Sequence, residues 1–276
     1  MIIWLSSYPK SGNTLLRGIL ATYLFSNDGI FSFENLYKIN QFPTIKSFEN
    51  IGIKSNEDEK ILKNYVKAQE LINNKVNKII FFKTHSANFK IKESTFTDIN
   101  NSKGAIYIVR DPRNVVSSLA YHNQISINEA TEFMKKNSWL IKNNKIPDTF
   151  VGSWKFNYNS WKNLNKKVLI IRYEDLLKDK KKTIIKVLEF LDHLKINIIF
   201  DDKKLNKTIE TTEFENMKKL EKTSGFDESV VNKKTGEFKP FFNLGPKNNW
   251  DKSLETKNIK IIEEEFSSEM KELGYL

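Results

Sequence analysis

Three groups of polar residues in this chain are spaced to act on an anion. The first is Lys10-Ser11-Gly12-Asn13-Thr14. It follows the apolar run Ile2-Ile3-Trp4-Leu5 and precedes Leu15, Leu16, Ile19, Leu20, Tyr23 and Leu24, which recur at helical spacing. A turn from strand to helix aims several backbone N–H groups at one point, at the positive end of the helix dipole. Lys10 adds a full charge there, and Ser11 and Thr14 add hydroxyl donors. The stretch reads as an anion cradle. The second group is Lys83 and His85, at the end of the run Lys78-Ile79-Ile80-Phe81-Phe82. Two residues apart in extended backbone, these ionisable side chains share a face. The third is Arg110, followed by Asp111 and Pro112 and then by Ser118. Asp111 suits a helix N-cap and Pro112 the first helical position. A planar guanidinium just before that helix can hold a phosphate through two bonds.

Four elements must position these groups. Ile2–Leu5, Lys78–Phe82, Ala105–Val109 and Val168–Ile171 are continuous apolar runs, as expected of parallel strands covered on both faces. Helical patterns separate them. The expected architecture is α/β, a three-layer sandwich with a central parallel sheet, and ligands bind at the carboxyl ends of such strands. All three polar groups fall at those ends and so face one crevice. No internal repeat and no linker rich in Pro, Gly or Ser divides residues 1–276, which read as a single domain. Residues 27–77 form a long excursion. Its first part carries Phe31, Phe33, Tyr37 and Phe42; its second reads as a helix with Ile61, Leu62, Tyr65, Val66 and Ile72 on one side. It is either a packed insertion or a wall of the pocket at that crevice. Trp154, Tyr158 and Trp161 form a core stripe, as do Ile184, Ile185, Leu188 and Leu191. Ile259, Ile262, Phe266, Met270 and Leu273 mark an amphipathic closing helix.

Tyr8-Pro9-Lys10-Ser11-Gly12-Asn13-Thr14 resembles the 5′-phosphosulfate loop of the sulfotransferases, enzymes that use 3′-phosphoadenosine 5′-phosphosulfate (PAPS). Further segments follow in the family's order. Lys83-Thr84-His85 resembles the family's Lys-Thr-His, whose histidine is the catalytic base. Arg110 and Ser118 have the spacing of its 3′-phosphate motif. Arg172-Tyr173-Glu174-Asp175-Leu176 resembles the segment in which a tyrosine approaches the adenine. Thr212 and Phe214 fall in a Thr-x-Phe-x-x-Met-like element near the same base. In the late loop, Gly245 and Trp250 keep their places, but Asn243 and Leu244 stand where a basic pair is usual and Lys247 is shifted. Leu15 stands where many members have a tryptophan.

The resemblance implies a P-loop-NTPase-like sulfotransferase fold and sulfuryl transfer from PAPS to a hydroxyl or amine, releasing 3′-phosphoadenosine 5′-phosphate (PAP). It assigns His85 as base, Lys10 to the leaving phosphate and Lys83 to the sulfuryl oxygens. Ser11, Gly12, Asn13, Thr14, Arg110, Ser118, Tyr173, Thr212, Phe214, Gly245 and Lys247 are then the nucleotide-binding set. No metal is expected, because lysines and helix N-termini supply the positive charge. The acceptor is a small molecule or a glycan, and the family often forms homodimers.

Composition narrows the alternatives. A chain of 276 residues can bury one large core. Aromatics at 12% argue against disorder, and the lack of cysteine excludes disulfides and thiolate metal sites. Three histidines are too few for a histidine-rich metal site. No apolar run approaches the roughly 20 residues of a membrane span, and the start lacks a basic n-region. The expectation is a soluble, cytoplasmic protein. The net charge of +11 suits an anionic donor. The lysines are scattered among asparagines and isoleucines, so nucleic acid is not an expected partner. A P-loop phosphotransferase would place its lysine after the last glycine, directly before Ser or Thr, whereas Lys10 precedes Gly12. A catalytically silent PAP-binding protein is the alternative that the altered late loop keeps open.

Overall fold

In a computed structural model of the chain, the structure describes residues 1–76, 78–164, 167–232 and 235–276. Five strands form the central sheet: β1 (Ile2–Ser6), β2 (Asn40–Gln41), β3 (Ile80–Thr84), β4 (Ser102–Val109) and β5 (Val168–Arg172). Their order is β2-β3-β1-β4-β5, and every pairing is parallel. All four expected runs are strands. β2 had no apolar run to announce it: a polar pair at the edge, it is held by its register with Phe82 and Lys83.

Alternation along each strand divides the core into two layers. Ile2, Trp4, Phe82, Ala105, Tyr107 and Val109 belong to one buried cluster. Ile3, Leu5, Phe81, Ile106 and Ile108 belong to the other. The first face is covered by α2 (Tyr65–Val76), α3 (Pro112–Asn123), α4 (Trp154–Lys162) and the C-terminal helices. The second is covered by α1 (Asn13–Phe25), α5 (Tyr173–Lys178), α6 (Lys180–His193) and α7 (Asp202–Thr211). The expected three-layer α/β sandwich is therefore the observed one.

The excursion of residues 27–77 departs from its expected form. Its helix is split at Asn64 into Asp58–Lys63 and α2. Phe42 packs in the core against Trp4, Phe48, Tyr65, Phe82 and Phe96. Phe31 and Phe33 join a third cluster with Phe226 and Phe242. Of the four aromatics, only Tyr37 borders the cleft described below. The closing helix is also two pieces, Thr256–Glu265 and Ser267–Glu272, joined at Phe266. Its apolar face is nonetheless kept: Ile262, Phe266, Met270 and Leu273 are buried.

The chain's end braces the third polar group. Asp111 caps α3 by accepting from the Arg113 N–H at 2.9 Å. Its carboxylate also pairs with the Arg113 guanidinium, which donates in turn to the Tyr275 carbonyl at 2.9 Å. The Tyr275 hydroxyl donates to Glu174, which accepts from the Asp111 N–H as well. The turn carrying Arg110 is thus tied to β5's end and to the C-terminus. No helix among the described residues is long and apolar enough to cross a membrane.

Candidate active site

The cradle forms between β1 and α1. Lys10 and Gly12 take left-handed backbone, with φ of 65° and 97°, which turns successive N–H groups inward. Gly12 is the N-cap of α1 and makes no side-chain cap bond, so the helix's first N–H groups are left for an anion. Asn13 braces the loop, its Nδ2 donating to the Leu5 carbonyl at 3.0 Å and to Ser7 Oγ at 3.2 Å. The buried Ser11 Oγ has no partner among the described residues. Lys10 extends over the Phe241 ring, its Nζ 3.9 Å from the centroid. Burial pushes this ammonium down to about 7, and Glu228 opposes the shift only in part.

β3 brings Lys83 and His85 to the same cleft. His85 Nδ1 lies 3.1 Å from the Ser7 carbonyl. A carbonyl only accepts, so the bond to it needs the proton on Nδ1, which leaves Nε2 basic; Ser7 Oγ, 3.2 Å from the same nitrogen and accepting from Asn13, can serve either tautomer. Burial, helped by the Lys83 ammonium, holds the imidazole down at about 3. It is neutral at physiological pH, the state a general base requires.

Arg110 lies across the cleft, its guanidinium 4.4 Å from the Tyr173 ring centroid. Its bonds are long: 3.4 Å to the Lys10 carbonyl, 3.5 Å to Ser118 Oγ and 3.4 Å to the Gly245 carbonyl. Its buried Nε has no partner among the described residues. A buried guanidinium so weakly bonded fits a phosphate that would complete it. Ser118 Oγ accepts from Asn248 Nδ2 at 3.0 Å. Phe214 lines the cleft and closes against Gly245, where an added Cβ would lie 2.2 Å from the ring.

Two expected residues lie elsewhere. Lys247 is 79% exposed, outside the cleft, and faces Glu215 at 3.7 Å; the buried Asn248 takes the inward place in the late loop. Thr212 is buried at the end of α7, its hydroxyl donating to the Thr208 carbonyl at 2.6 Å. The helix terminus, with its orphan carbonyls, has claimed that donor.

Three cleft residues escaped the sequence reading. Arg17, one turn beyond Thr14 on α1, donates to Glu228 Oε1 at 2.7 Å. Glu228 also receives Lys83 Nζ at 2.8 Å and Thr14 Oγ1 at 3.2 Å. Burial works against its ionisation, but Lys83 and Arg17 outweigh it and hold the carboxyl at about 2. His122 borders the cleft too, pushed down to about 3 by burial and then by Lys10. The spacing of Arg17 from Thr14 was the one available signal; Glu228 and His122 sit in no motif.

The cleft encloses about 1370 Å³ and is bordered by Lys10, Lys83, His85, Arg110, Ser118 and Tyr173 together. The sulfotransferase domain family matches residues 2–274. Luciferin sulfotransferase of Photinus pyralis is 27% identical over 228 residues, which are 78% of this chain and 56% of that protein. The chain thus spans little more than half the length of that relative. Sulfotransferase 1E1 of Rattus norvegicus is 26% identical over 275 residues, 96% of this chain and 82% of the relative. Among solved structures, a mouse sulfotransferase complexed with PAP superposes with a TM-score of 0.60 at 21% identity, covering 98% of this chain and 84% of the other. Retinol dehydratase in complex with androsterone and PAP gives a TM-score of 0.59 at 16% identity, covering 98% and 80%. These likenesses establish the fold. With the sulfotransferase domain matched over nearly its whole length, the chain belongs to the sulfotransferase family.

Proposed function

We propose that this chain transfers a sulfuryl group from PAPS to a hydroxyl of a small-molecule or glycan acceptor, releasing PAP. The observation that carries this reading is the meeting, in one cleft, of the β1–α1 cradle, His85 and the under-bonded Arg110. The cradle's N–H groups, Ser11 and Thr14 would hold the 5′-phosphosulfate. Arg110 and Ser118, the latter set by Asn248, would hold the 3′-phosphate. Tyr173 and Phe214 would flank the nucleoside.

The chemistry resembles phosphoryl transfer: a loose, in-line transition state that loads charge on the transferring and bridging oxygens. The acceptor oxygen forms its bond to sulfur as the bond from sulfur to the bridging phosphate oxygen breaks. His85 Nε2 takes the acceptor's proton. Lys10 neutralises the departing phosphate and Lys83 the sulfuryl oxygens, positioned before the reaction begins. The cavity exceeds the roughly 300–1,000 Å³ of a single-ligand pocket, which leaves room for an acceptor beside the nucleotide. Tyr37, Asn40, Gln41 and Thr44 from the excursion border that remaining space.

The test is a thermal melt with PAP, ADP and ATP at matched concentrations, on wild type and Arg110→Ala. A ligand at 100 times its Kd adds roughly 2.7 kcal/mol, about 5–10 °C for a chain this long. A large shift with PAP alone, lost in the variant, supports the reading. Equal shifts with all three, or none with PAP, overturn it.

A further inference from the structure

The Glu228 carboxylate occupies a site built for an anion. Three donors converge on it: the Arg17 guanidinium at 2.7 Å, the Lys83 ammonium at 2.8 Å and the Thr14 hydroxyl at 3.2 Å. The two cations are almost fully buried, with side chains 3% and 5% exposed, while Glu228 keeps 22%. Arg17 is also fixed from behind, its Nε donating to the Ile39 carbonyl at 2.7 Å. Its guanidinium is therefore aimed into the cleft whether or not Glu228 is present. Two buried cations without a counter-charge are costly, and Glu228 supplies one. It reaches Arg17 across 211 residues of sequence, from a segment that belongs to no strand or helix of the sandwich.

The donors divide by position. Thr14 lies in the first turn of α1, on the cradle side, and bonds Oε2. Lys83 lies at the end of β3, two residues before His85, and shares Oε1 with Arg17. The site thus runs from the cradle towards the base, along the line that a transferring group must follow. A sulfuryl group has three terminal oxygens and a negative charge, and can satisfy all three donors. It and a carboxylate cannot hold the same donors together: they would sit within contact distance, both negative, in a partly desolvated site.

We propose that Arg17 is a sulfuryl-binding residue of the donor site, and that Glu228 is the chain's own occupant of that seat, displaced when PAPS binds. The assignment rests on the PAPS reading above. It makes Glu228 a brake that PAPS feels more than PAP: the 5′-phosphate of PAP shares only Thr14 with the seat, whereas PAPS must compete for all three donors. It also gives the site one more cation at the transferring group than Lys10 and Lys83 provide.

The experiment is titration calorimetry of PAP and of PAPS on wild type, Glu228→Gln and the double variant Glu228→Gln/Arg17→Gln. Glutamine keeps the size of Glu228 and removes its charge, so Glu228→Gln is expected to bind PAPS about tenfold more tightly and to change PAP binding clearly less. In that background, where no carboxylate competes, Arg17→Gln is expected to weaken PAPS about tenfold or more and leave PAP nearly unchanged. Unchanged or weaker PAPS binding by Glu228→Gln overturns the brake. Equal losses of PAP and PAPS in the double variant overturn Arg17 as a sulfuryl ligand. Should the double variant not fold, Arg17→Lys in the same background decides, because a point charge cannot keep the Ile39 bond and the aimed fork together; PAPS affinity equal to that of Glu228→Gln then counts against the assignment. Wild type that binds no PAP overturns the PAPS reading itself, whereas PAP binding without a PAPS-selective effect overturns this assignment alone.

Discussion

The Tyr173 ring lies so close to Gly12 that a Cβ added there would stand 2.3 Å from Cδ2. The same ring carries Arg110 on its face. One contact therefore sets the spacing between the cradle and the arginine opposite it. Gly12→Ala combines that clash with a φ of 97°, a region costing a non-glycine residue on the order of 1–3 kcal/mol. The expected result is a fall in Tm of several degrees together with loss of PAP binding. Gly52 is the control, since it has φ of 80° and nothing within 4 Å of an added Cβ. Gly52→Ala is expected to lower Tm less and to leave PAP binding intact.

Lys10 is expected to make PAP binding a proton-uptake reaction. In the free chain its ammonium is pushed down to about 7, so at pH 8 most molecules carry it neutral. A bound phosphate favours the charged form and raises the value. Binding at pH 8 then draws a proton onto Lys10, and PAP affinity falls as pH rises from 7. Calorimetry in buffers of different ionisation enthalpy is expected to show net uptake approaching one proton at pH 8. Lys10→Met is expected to abolish most of it. Equal uptake in that variant would move the effect to another group.

The sequence made most of the sandwich legible because its strands are buried on both faces. Residues 2–5 and 105–109 had to be apolar throughout, and that pattern has few other readings. Asn40–Gln41 had no such obligation: an edge pair exposes its side chains and is held by a neighbour's backbone. The same distinction runs through the site. Lys10, His85 and Arg110 stand at the ends of legible strands, so the topology brings them together. Arg17 and Glu228 meet through a loop closure of 211 residues that no local pattern records. Thr212 fits its motif by spacing, but helix-end carbonyls within one turn outcompete a distant ligand for its hydroxyl. Lys247 and Asn248 differ by a single step of a tight turn that begins at Gly245, with φ of 52°. Which of the two faces inward depends on backbone angles that composition does not fix.

That last pair gives a direct comparison. Asn248 donates to Ser118 Oγ and to the Asn114 carbonyl, and accepts from Ser117. Asn248→Ala removes these bonds and frees Ser118 to turn. At about 0.5–1.5 kcal/mol for a typical hydrogen bond, PAP affinity is expected to fall roughly three- to tenfold. Lys247→Ala removes an exposed charge and one long surface contact, an interaction typically worth about 0–1 kcal/mol. It is expected to change PAP affinity less than twofold in the same titration. The reverse order would place the ammonium, and not the amide, at the 3′-phosphate.

His85 is expected to separate binding from chemistry. Its Nδ1 lies within bonding distance of the Ser7 carbonyl and Ser7 Oγ, which orients the ring and, with the proton on Nδ1, leaves Nε2 basic. Burial at about 3 makes protonation in the free chain negligible at neutral pH. The imidazole therefore contributes no positive charge to hold the donor, and His85→Ala is expected to leave PAP affinity within about twofold, less than a single charge-assisted bond is worth. Turnover of an acceptor that the wild type sulfates should fall about 10²–10⁴-fold, the usual contribution of a positioned base. His85→Gln keeps a donor to Ser7 without a basic nitrogen, and it should be as slow as the alanine variant. Activity restored by glutamine would mean that the ring's bond to Ser7 matters and its basicity does not. Slow turnover in both variants, with PAP bound as in wild type, would assign the proton transfer to Nε2.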